Sequence, residues 1–586
     1  MHLLLFLSHI GSTMLGARPI FAASTLQLPF LLLFLTRVSP QCQISTADEC
    51  QKNKNFVPGY GLAGEGFDIT TLEKKEAKVL DLNRWRRADG TCTLCQNPLL
   101  EGKPLQRLPL AATDWVVNVL CQRKVHASLE SSGINVLQAA ASDVKNNWKV
   151  GLDVPIKPGI HGQVALAGSH SKMADFTMEK SNQDKYTFAS HEVSCSYYSF
   201  GINPQEQFTD HFKHALNSLP AKYQPESQLE YRQLIGTYGT HFINHLRLGG
   251  RVRDVTALRV CKTVLDGVTA DEVKDCLNIE ALISIGGGKI SPGAAYSTCE
   301  ELKKKKTFKG SFHQTYNERH TEVVGGDKHT DLLFSNNQNT EAYREWLEGL
   351  KSMPALLSYS LQPIHTLVPK GDPKREGLRQ AVSEYIRERA LWRNCTQPCP
   401  PGTQRSARDP CSCMCPSNSN TDSMCCSRER GLARLTVTIQ RAYGLRGDVF
   451  SQTDAFVKVT LKNKYFSTPI VSNNNNPVWN VQFDVGDITV HGENTQIHIQ
   501  VLDEDKYIFF RHYDNLGSCS EALQSGKPQN KVCYLTHGRL DFQYHLVCGP
   551  HLGGRYCLDY IPAVPRYMGD LLQRKSKANA LNMQVP

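Results

Sequence analysis

The stretch YGTHFINHLRLGGR, Tyr238–Arg251, decides how the larger part of this chain is read. On its N-terminal side Phe208, Phe212, Ala215, Leu216 and Leu219 recur at helical spacing. Leu229–Leu234 continues a second helix, and Tyr223-Gln-Pro225 separates the two. Tyr238-Gly-Thr-His-Phe242 closes this helical region. His241 and His245 stand four residues apart, as the two imidazoles of a zinc protease helix do. The residue after His241 is Phe242, where that chemistry needs a glutamate as general base. The sequence has no G-x-S-x-G nucleophile elbow, and Gly286-Gly-Gly288 lacks the strand-to-helix setting and the Lys-Ser/Thr of a phosphate loop. No residue set for catalysis is left. The chain is expected not to be an enzyme, and His241 to pack or hydrogen-bond inside the fold.

Outward from this stretch, 586 residues are too many for one core and imply several domains. A 40% hydrophobic and 21% charged composition is that of globular protein, which excludes wholesale disorder. The net charge of +10 is spread along the chain and favours anionic surfaces only weakly. Near the N-terminus LQLPFLLLFL, Leu26–Leu35, is too short to span a bilayer but fits the apolar region of a signal peptide, placed at residues 1–40. All 20 cysteines follow it, beginning at Cys42, and seven fall between Cys395 and Cys426. An even count at that density implies an oxidising compartment and a disulfide-held module. Cys92-Thr-Leu-Cys95 has no matching pair at zinc-ribbon spacing. Asn394-Cys-Thr396 is an N-glycosylation acceptor, consistent with secretion.

After Gly431 the pattern becomes β. Leu435, Val437 and Ile439 alternate with polar residues, as do Ala455, Val457, Val459 and Leu461, then Ile497, Ile499 and Val501. Such strands suggest an antiparallel sandwich. Asp448 and Asp454 precede the second of these strands, and Asp503, Asp505 and Asp514 follow the third. Calcium takes six to eight oxygen ligands, so carboxylates from two loops at one end of a sandwich suit it.

GDVFSQTDAFVKV (Gly447–Val459), NNNNPVWN (Asn473–Asn480) and VLDED…YDNLG resemble the C2 domain family. That resemblance implies calcium ligation by Asp448, Asp454, Asp503, Asp505 and Asp514, followed by docking on anionic lipid. The nine positions from Asp505 to Asp514 exceed the family's usual spacing, and the extra residues are largely Tyr507, Ile508, Phe509 and Phe510. This run reads as a membrane-inserting tip. YGTHF in turn resembles the signature of the membrane-attack-complex/perforin (MACPF) family. Together the resemblances imply an α+β multidomain chain: a MACPF domain, a bent antiparallel sheet with helical clusters, over 41–390, and an EGF-like cysteine-rich module over 391–430. An all-β C2 sandwich follows over 431–546, then a basic tail over 547–586 without clear structure. The family resemblance further implies disulfides Cys42–Cys95, Cys50–Cys92, Cys121–Cys195, Cys261–Cys426 and Cys276–Cys299. The remaining cysteines are also expected in disulfides: Cys395, Cys399, Cys411, Cys413, Cys415 and Cys425 in the module, and Cys519, Cys533, Cys548 and Cys557 beyond it.

A MACPF resemblance implies two helical clusters that refold as membrane-spanning β-hairpins in an oligomer. Closure is a physical demand, since an open sheet edge in lipid leaves backbone groups unsatisfied. Each strand needs about 9–11 residues of alternating faces. Gln163–Glu179 supplies this pattern, with Val164, Leu166, Ala174, Phe176 and Met178 on one parity and polar residues on the other. His170 and Lys172 interrupt it where a hairpin tip would lie. The second candidate is IEALISI, with Ile279, Ala281, Ile283 and Ile285 on one face and Gly286–Gly293 as the tip. Gly325-Gly326 resembles the family's hinge, where the sheet bends as the hairpins unfurl.

The resemblance implies a secreted, Ca2+-dependent pore-forming cytolysin, stored in lysosome-like cytolytic granules and released to act in immunity. Its partners are the phospholipid membrane of a target cell and a ring of its own copies, with no nucleic acid. Granule proteases would pass through the pore. The alternative is a secreted protein that binds phospholipid with calcium and never perforates it.

Overall fold

The protein is described from a computed structural model. It describes all residues except 1–41, 123, 146, 155–161, 204–207, 287–292, 306–309, 328–331, 335–339, 397, 408, 410, 448–450, 507–510, 564–571 and 575–586. The expected signal segment 1–40 therefore lies outside the described residues.

The first part of the chain builds a large antiparallel sheet. Its strands are β1 (Glu65–Asp68), β2 (Glu73–Lys78), β3 (Ala112–Cys121), β4 (His126–Glu130), then β5 (Gly162–Ala165), which joins a different sheet. After helix α1 (Lys172–Gln183) come β6 (Tyr186–Ile202), helix α2 (Gln228–Tyr238) and the long β7 (His241–Arg259). Helices α3 (Ala270–Gly286) and α4 (Ala294–Lys305) precede β8 (Arg319–Val324), helix α5 (Thr340–Gly349) and β9 (Ala355–Pro363). The order is β2-β1-β7-β6-β3, with β8 and β9 also on β7 and β4 on β6, eight strands in all. Helix α6 (Pro373–Glu388) and β10 (Leu391–Asn394) lead out of the domain.

The signature Tyr238–Phe242 is a crossing point. Tyr238 ends α2, and Gly239 (φ 77°, ψ −169°) occupies a region open essentially only to glycine. A Cβ there would lie 2.5 Å from the carbonyl oxygen of Phe67 on β1. Thr240 then locks the crossing: its N–H donates to Phe67 O at 2.9 Å and its hydroxyl accepts from Ile69 N–H at 3.0 Å. His241 is fully buried as the first residue of β7. Its Nδ1 lies 2.8 Å from Thr240 Oγ1 and its Nε2 3.0 Å from Trp148 O. Burial pushes its imidazole down to about 4. It is a packed core histidine.

A second irregularity lies at Leu248-Gly-Gly-Arg251. Strand β7 pairs with β9 up to Gly249↔Ala355 and with β8 from Arg251↔Val324. Its register against β6 shifts between Leu248 and Gly249. The partner exchange falls where two side chains are missing: a Cβ on Gly249 would sit 1.9 Å from Cys195 O. Gly325 and Gly326, directly after β8, have φ of 84° and 66°, and Gly325 packs on Gly249. Trp346 of α5, fully buried, donates its indole N–H to Gly325 O at 2.8 Å.

Ten disulfides are present. Cys42–Cys95, Cys50–Cys92 and Cys121–Cys195 hold the start of the large domain, and Cys276–Cys299 joins α3 to α4. Cys261–Cys426 ties the large domain to the small module. Inside that module lie Cys395–Cys411, Cys399–Cys413 and Cys415–Cys425; Cys519–Cys533 and Cys548–Cys557 lie beyond it. Asn394 ends β10, and its side chain lies outside the described residues.

The last large unit is a sandwich of two four-stranded antiparallel sheets. Its strands are β11 (Leu432–Tyr443), β12 (Ala455–Leu461), β13 (Lys464–Ser467) and β14 (Val478–Thr489). They continue with β15 (Gln496–Lys506), β16 (Arg511–Ala522), β17 (Gln529–Tyr534) and β18 (Arg539–Cys548). The orders are β14-β11-β18-β17 and β13-β12-β15-β16. The alternating residues Leu435, Val437, Ile439, Val457, Ile497, Ile499 and Val501 are all fully buried between the sheets. Strand β18 runs to Cys548, past the boundary expected at 546, because Cys548 still pairs with Ala433. The tail is also more ordered than its composition suggests: β19 (Leu572–Arg574) pairs with β10.

Candidate functional site

The sandwich places its carboxylates by register. The Ile497–Val501 alternation continues as strand through Lys506, so Asp503 and Asp505 stand on β15 and Asp514 on β16, not in a loop. The hairpin stays paired to Lys506↔Arg511, and this lengthening takes up the long interval between Asp505 and Asp514. Its tip, Tyr507, Ile508, Phe509 and Phe510, lies outside the described residues, as does Asp448.

Ala455 is opposite Asp503, and Asp503 is opposite Asp514, so Asp454, Asp503 and Asp514 share one end of the sandwich. Asp503 is 1% exposed, and its Oδ1 accepts the N–H of Asp454 at 2.7 Å. Asp454 Oδ1 in turn accepts from Asn473 N–H at 2.7 Å. A Cβ added to Gly447 would lie 1.5 Å from Asp503 Oδ2, so glycine leaves that oxygen its room. Asp505 is opposite His512, whose Nε2 lies 3.3 Å from Asp514 Oδ1. Among the described residues no three carboxylate, imidazole or thiol side chains are already gathered as a metal cluster. The donor chemistry fits calcium: hard carboxylate oxygens, two of them directly across an antiparallel pair, where like charges repel without a cation. Asp454, Asp503, Asp505 and Asp514 are the described residues that would hold it.

The asparagine run was legible in sequence only as part of a resemblance; the structure gives it work. Asn475 Oδ1 accepts from the Thr453 N–H at 3.1 Å and hydroxyl at 2.9 Å, and Asn476 Oδ1 accepts from Gly444 N–H at 2.9 Å. The run braces the loop that leads into Asp454. A short amide side chain imitating a backbone acceptor was the available signal.

The two candidate inserting segments are not hairpins here. Val164 lies on β5, Leu166 follows it, and Ala174, Phe176 and Met178 lie on α1, capped by Ser171, whose hydroxyl accepts Ala174 N–H at 3.2 Å. The buried face of α1 is Met173, Ala174 and Thr177, a helical spacing that cuts across the expected parity. Ile279, Ala281, Ile283 and Ile285 all lie in α3, whose buried residues are Val273, Cys276, Leu277, Ala281 and Ser284. Only Ala281 among the four is fully buried; the three isoleucines are half-buried. Of the expected tip, Gly286–Gly293, residues 287–292 lie outside the described residues, and Gly286 ends α3. Among the described residues no helix is long and apolar enough to cross a membrane, which says nothing of strands.

Residues 58–394, more than half of the chain, match the MAC/Perforin domain family model. The chain belongs to the MAC/Perforin domain family. Residues 394–428 match the Perforin-1-like EGF domain and 433–535 the C2 domain. Perforin-1 of Homo sapiens is 46% identical over 526 residues, covering 89% of this chain and 93% of that protein. Perforin-1 of Mus musculus is 44% identical over 544 residues, covering 92% and 97%. The complement component C8 alpha chain of Oryctolagus cuniculus is 26% identical over 358 residues, covering 57% of this chain and 60% of that protein. The MAC/Perforin domain is thus the sheet with its helical segments, and the C2 domain the sandwich with the carboxylate end.

Proposed function

We infer that the chain is a secreted pore-forming cytolysin that docks on membranes through its C2 domain. The observation that carries this reading is the conflict within α3. Ile279–Ile285 is written with the period of a strand, yet it folds as a helix on the flank of a MAC/Perforin sheet. A segment with two periodicities suits two environments: a helix against the sheet in water, and a strand with one apolar face in lipid.

At the membrane, calcium bound by the aspartates supplies positive charge that offsets the carboxylates against an anionic surface. Asp503, buried and fixed by Asp454 N–H, positions the set, and Asp448 completes it from the preceding loop. Tyr507, Ile508, Phe509 and Phe510 enter the bilayer between β15 and β16. Docked copies then associate in a ring. The sheet opens at Gly325 and Gly326, with Gly249 and Gly250 beside them, and the segments Gln163–Glu179 and Ile279–Glu301 extend as hairpins into a closed barrel. The domains of this reading run over 41–390, 391–430 and 431–546, with a tail over 547–586. Storage in acidic cytolytic granules and passage of granule proteases into a target cell complete the reading.

Dye release from phosphatidylserine-containing vesicles, with and without calcium, tests it. Leakage only with calcium is expected. Calcium-dependent binding without leakage would favour the non-lytic lipid-binding protein instead.

A further inference from the structure

The last described residues do not trail away from the domain. Strand β19 adds to β10, with Leu391 opposite Arg574 and Arg393 opposite Leu572. On its other side β10 carries β5, the opening strand of the Gln163–Glu179 segment. Beyond this ladder β19 grips α1 directly. Asn182 donates its side-chain N–H to Leu572 O at 3.1 Å and accepts Leu572 N–H at 3.1 Å, so one amide side chain pairs the strand as a neighbouring backbone would. Arg574 pairs with Asp175 and donates to Ser169 O at 3.3 Å. Leu572, 2% exposed, shares an apolar cluster with Ile134, Met173 and Ala174, against which Phe176 and Met178 also pack. Upstream, the Tyr560 hydroxyl and the Ala563 N–H donate to the carboxylate of Asp184, the residue that caps the C-terminus of α1.

We propose that this C-terminal strand is an autoinhibitory strap on the first inserting segment. The inference rests on reading Gln163–Glu179 as membrane-inserting. The attachments at Ser169, Asp175, Asn182 and Asp184 span α1 from before its first turn to its cap. Conversion of helix to strand lengthens the chain from about 1.5 to about 3.3 Å per residue. It therefore cannot proceed through Gln163–Glu179 while Ser169 and Asp175 stay held, nor reach the end of α1 while Asn182 and Asp184 do. The second segment is restrained differently, by Cys276–Cys299 and by Glu280, which accepts from the N–H groups of Phe312 and His313 at 2.8 and 2.9 Å. Among the described residues the tail holds the first segment and not the second.

All twenty native cysteines are in disulfides, so two introduced thiols can be bridged selectively. The test is the full chain carrying Asp175→Cys and Arg574→Cys, with and without a short bismaleimide bridge, on dye-loaded phosphatidylserine vesicles with calcium. The bridged protein is expected to bind as the unbridged one does and to release dye at least ten-fold more slowly. Equal release by both overturns the strap. Asn182→Ala, which leaves tail and segment otherwise intact, is expected to shorten the lag before leakage several-fold; an unchanged lag overturns it as well. Amide exchange over Lys172–Gln183 in solution needs no membrane: faster exchange in Asn182→Ala supports the strap, and unchanged exchange removes it. A wild-type chain that binds without leaking would instead remove the pore-forming reading, and the strap with it.

Discussion

Ile497–Val501 and Ile279–Ile285 carry the same alternation of apolar and other residues, and they fold differently. The first is a strand whose Ile497, Ile499 and Val501 are fully buried. The second lies within a helix that buries Ala281 and leaves three isoleucines half-exposed. The difference lies in what surrounds the pattern. Ile497–Val501 is flanked by partners on both sides, β12 and β16. Ile279–Ile285 is preceded by a capping box: Thr269 Oγ1 accepts Glu272 N–H at 3.1 Å while Glu272 accepts Thr269 N–H at 2.7 Å. Val273, Leu277, Ala281 and Ser284 then supply a helical face. One sequence holds both periods, and the helix forms because its face is covered by the sheet while no strand among the described residues pairs with it.

The comparison can be broken most severely at the carboxylates beyond Val501. Asp503→Asn with Asp505→Asn is expected to abolish calcium-dependent vesicle binding and leakage together, as read by co-sedimentation and dye release. Unchanged lysis would remove the calcium assignment. Ile499→Ala should destabilise the sandwich by about 2–5 kcal/mol, because a fully buried isoleucine leaves a cavity. Differential scanning calorimetry would show it as a lowered transition.

Ile283→Lys sharpens the contrast. On the half-buried side of α3 it is expected to shift folding stability by no more than about 1 kcal/mol. On the lipid face of a barrel the same charge is unfavourable by about 2–4 kcal/mol near the bilayer centre. Thermal unfolding should therefore stay near wild type while leakage falls; equal leakage would take this residue off the lipid face.

The sheet that holds α3 should also respond to pH. Burial pushes His191 and His241 down to about 4. The unfolded chain takes up protons on these groups near pH 6.5, before the folded chain does, so their contribution is complete above that pH and lost as pH falls toward 4. For His241 alone the loss is about 2 kcal/mol at pH 5 relative to pH 8. Chemical denaturation at the two pH values checks it, and His241→Asn should flatten the dependence.

Much of the site was legible because it is local. Each aspartate lies close in sequence to the buried alternation that aims it, and the hairpin needs only pairing to bring Asp503 opposite Asp514. The strand extension to Lys506 was not legible, since polar residues at a sheet end look like a loop. The asparagine brace and the partner exchange at Gly249 were hidden for another reason: each depends on which distant backbone lies beside it.

Sequence alone determined the class of each unit: sandwich strands from period two, a stapled module from cysteine density, and two segments able to alternate. It also excluded a metalloprotease reading of His241 and His245 through Phe242. Only the tertiary structure decided that Lys172–Glu179 of the first segment and Ile279–Ile285 of the second are helical, because burial against the sheet rewards the helical face over the alternating one. It alone placed Leu572–Arg574 against α1, a contact between residues nearly four hundred positions apart. Periodicity reports which faces a segment can offer; the neighbours that cover a face are fixed by the rest of the fold.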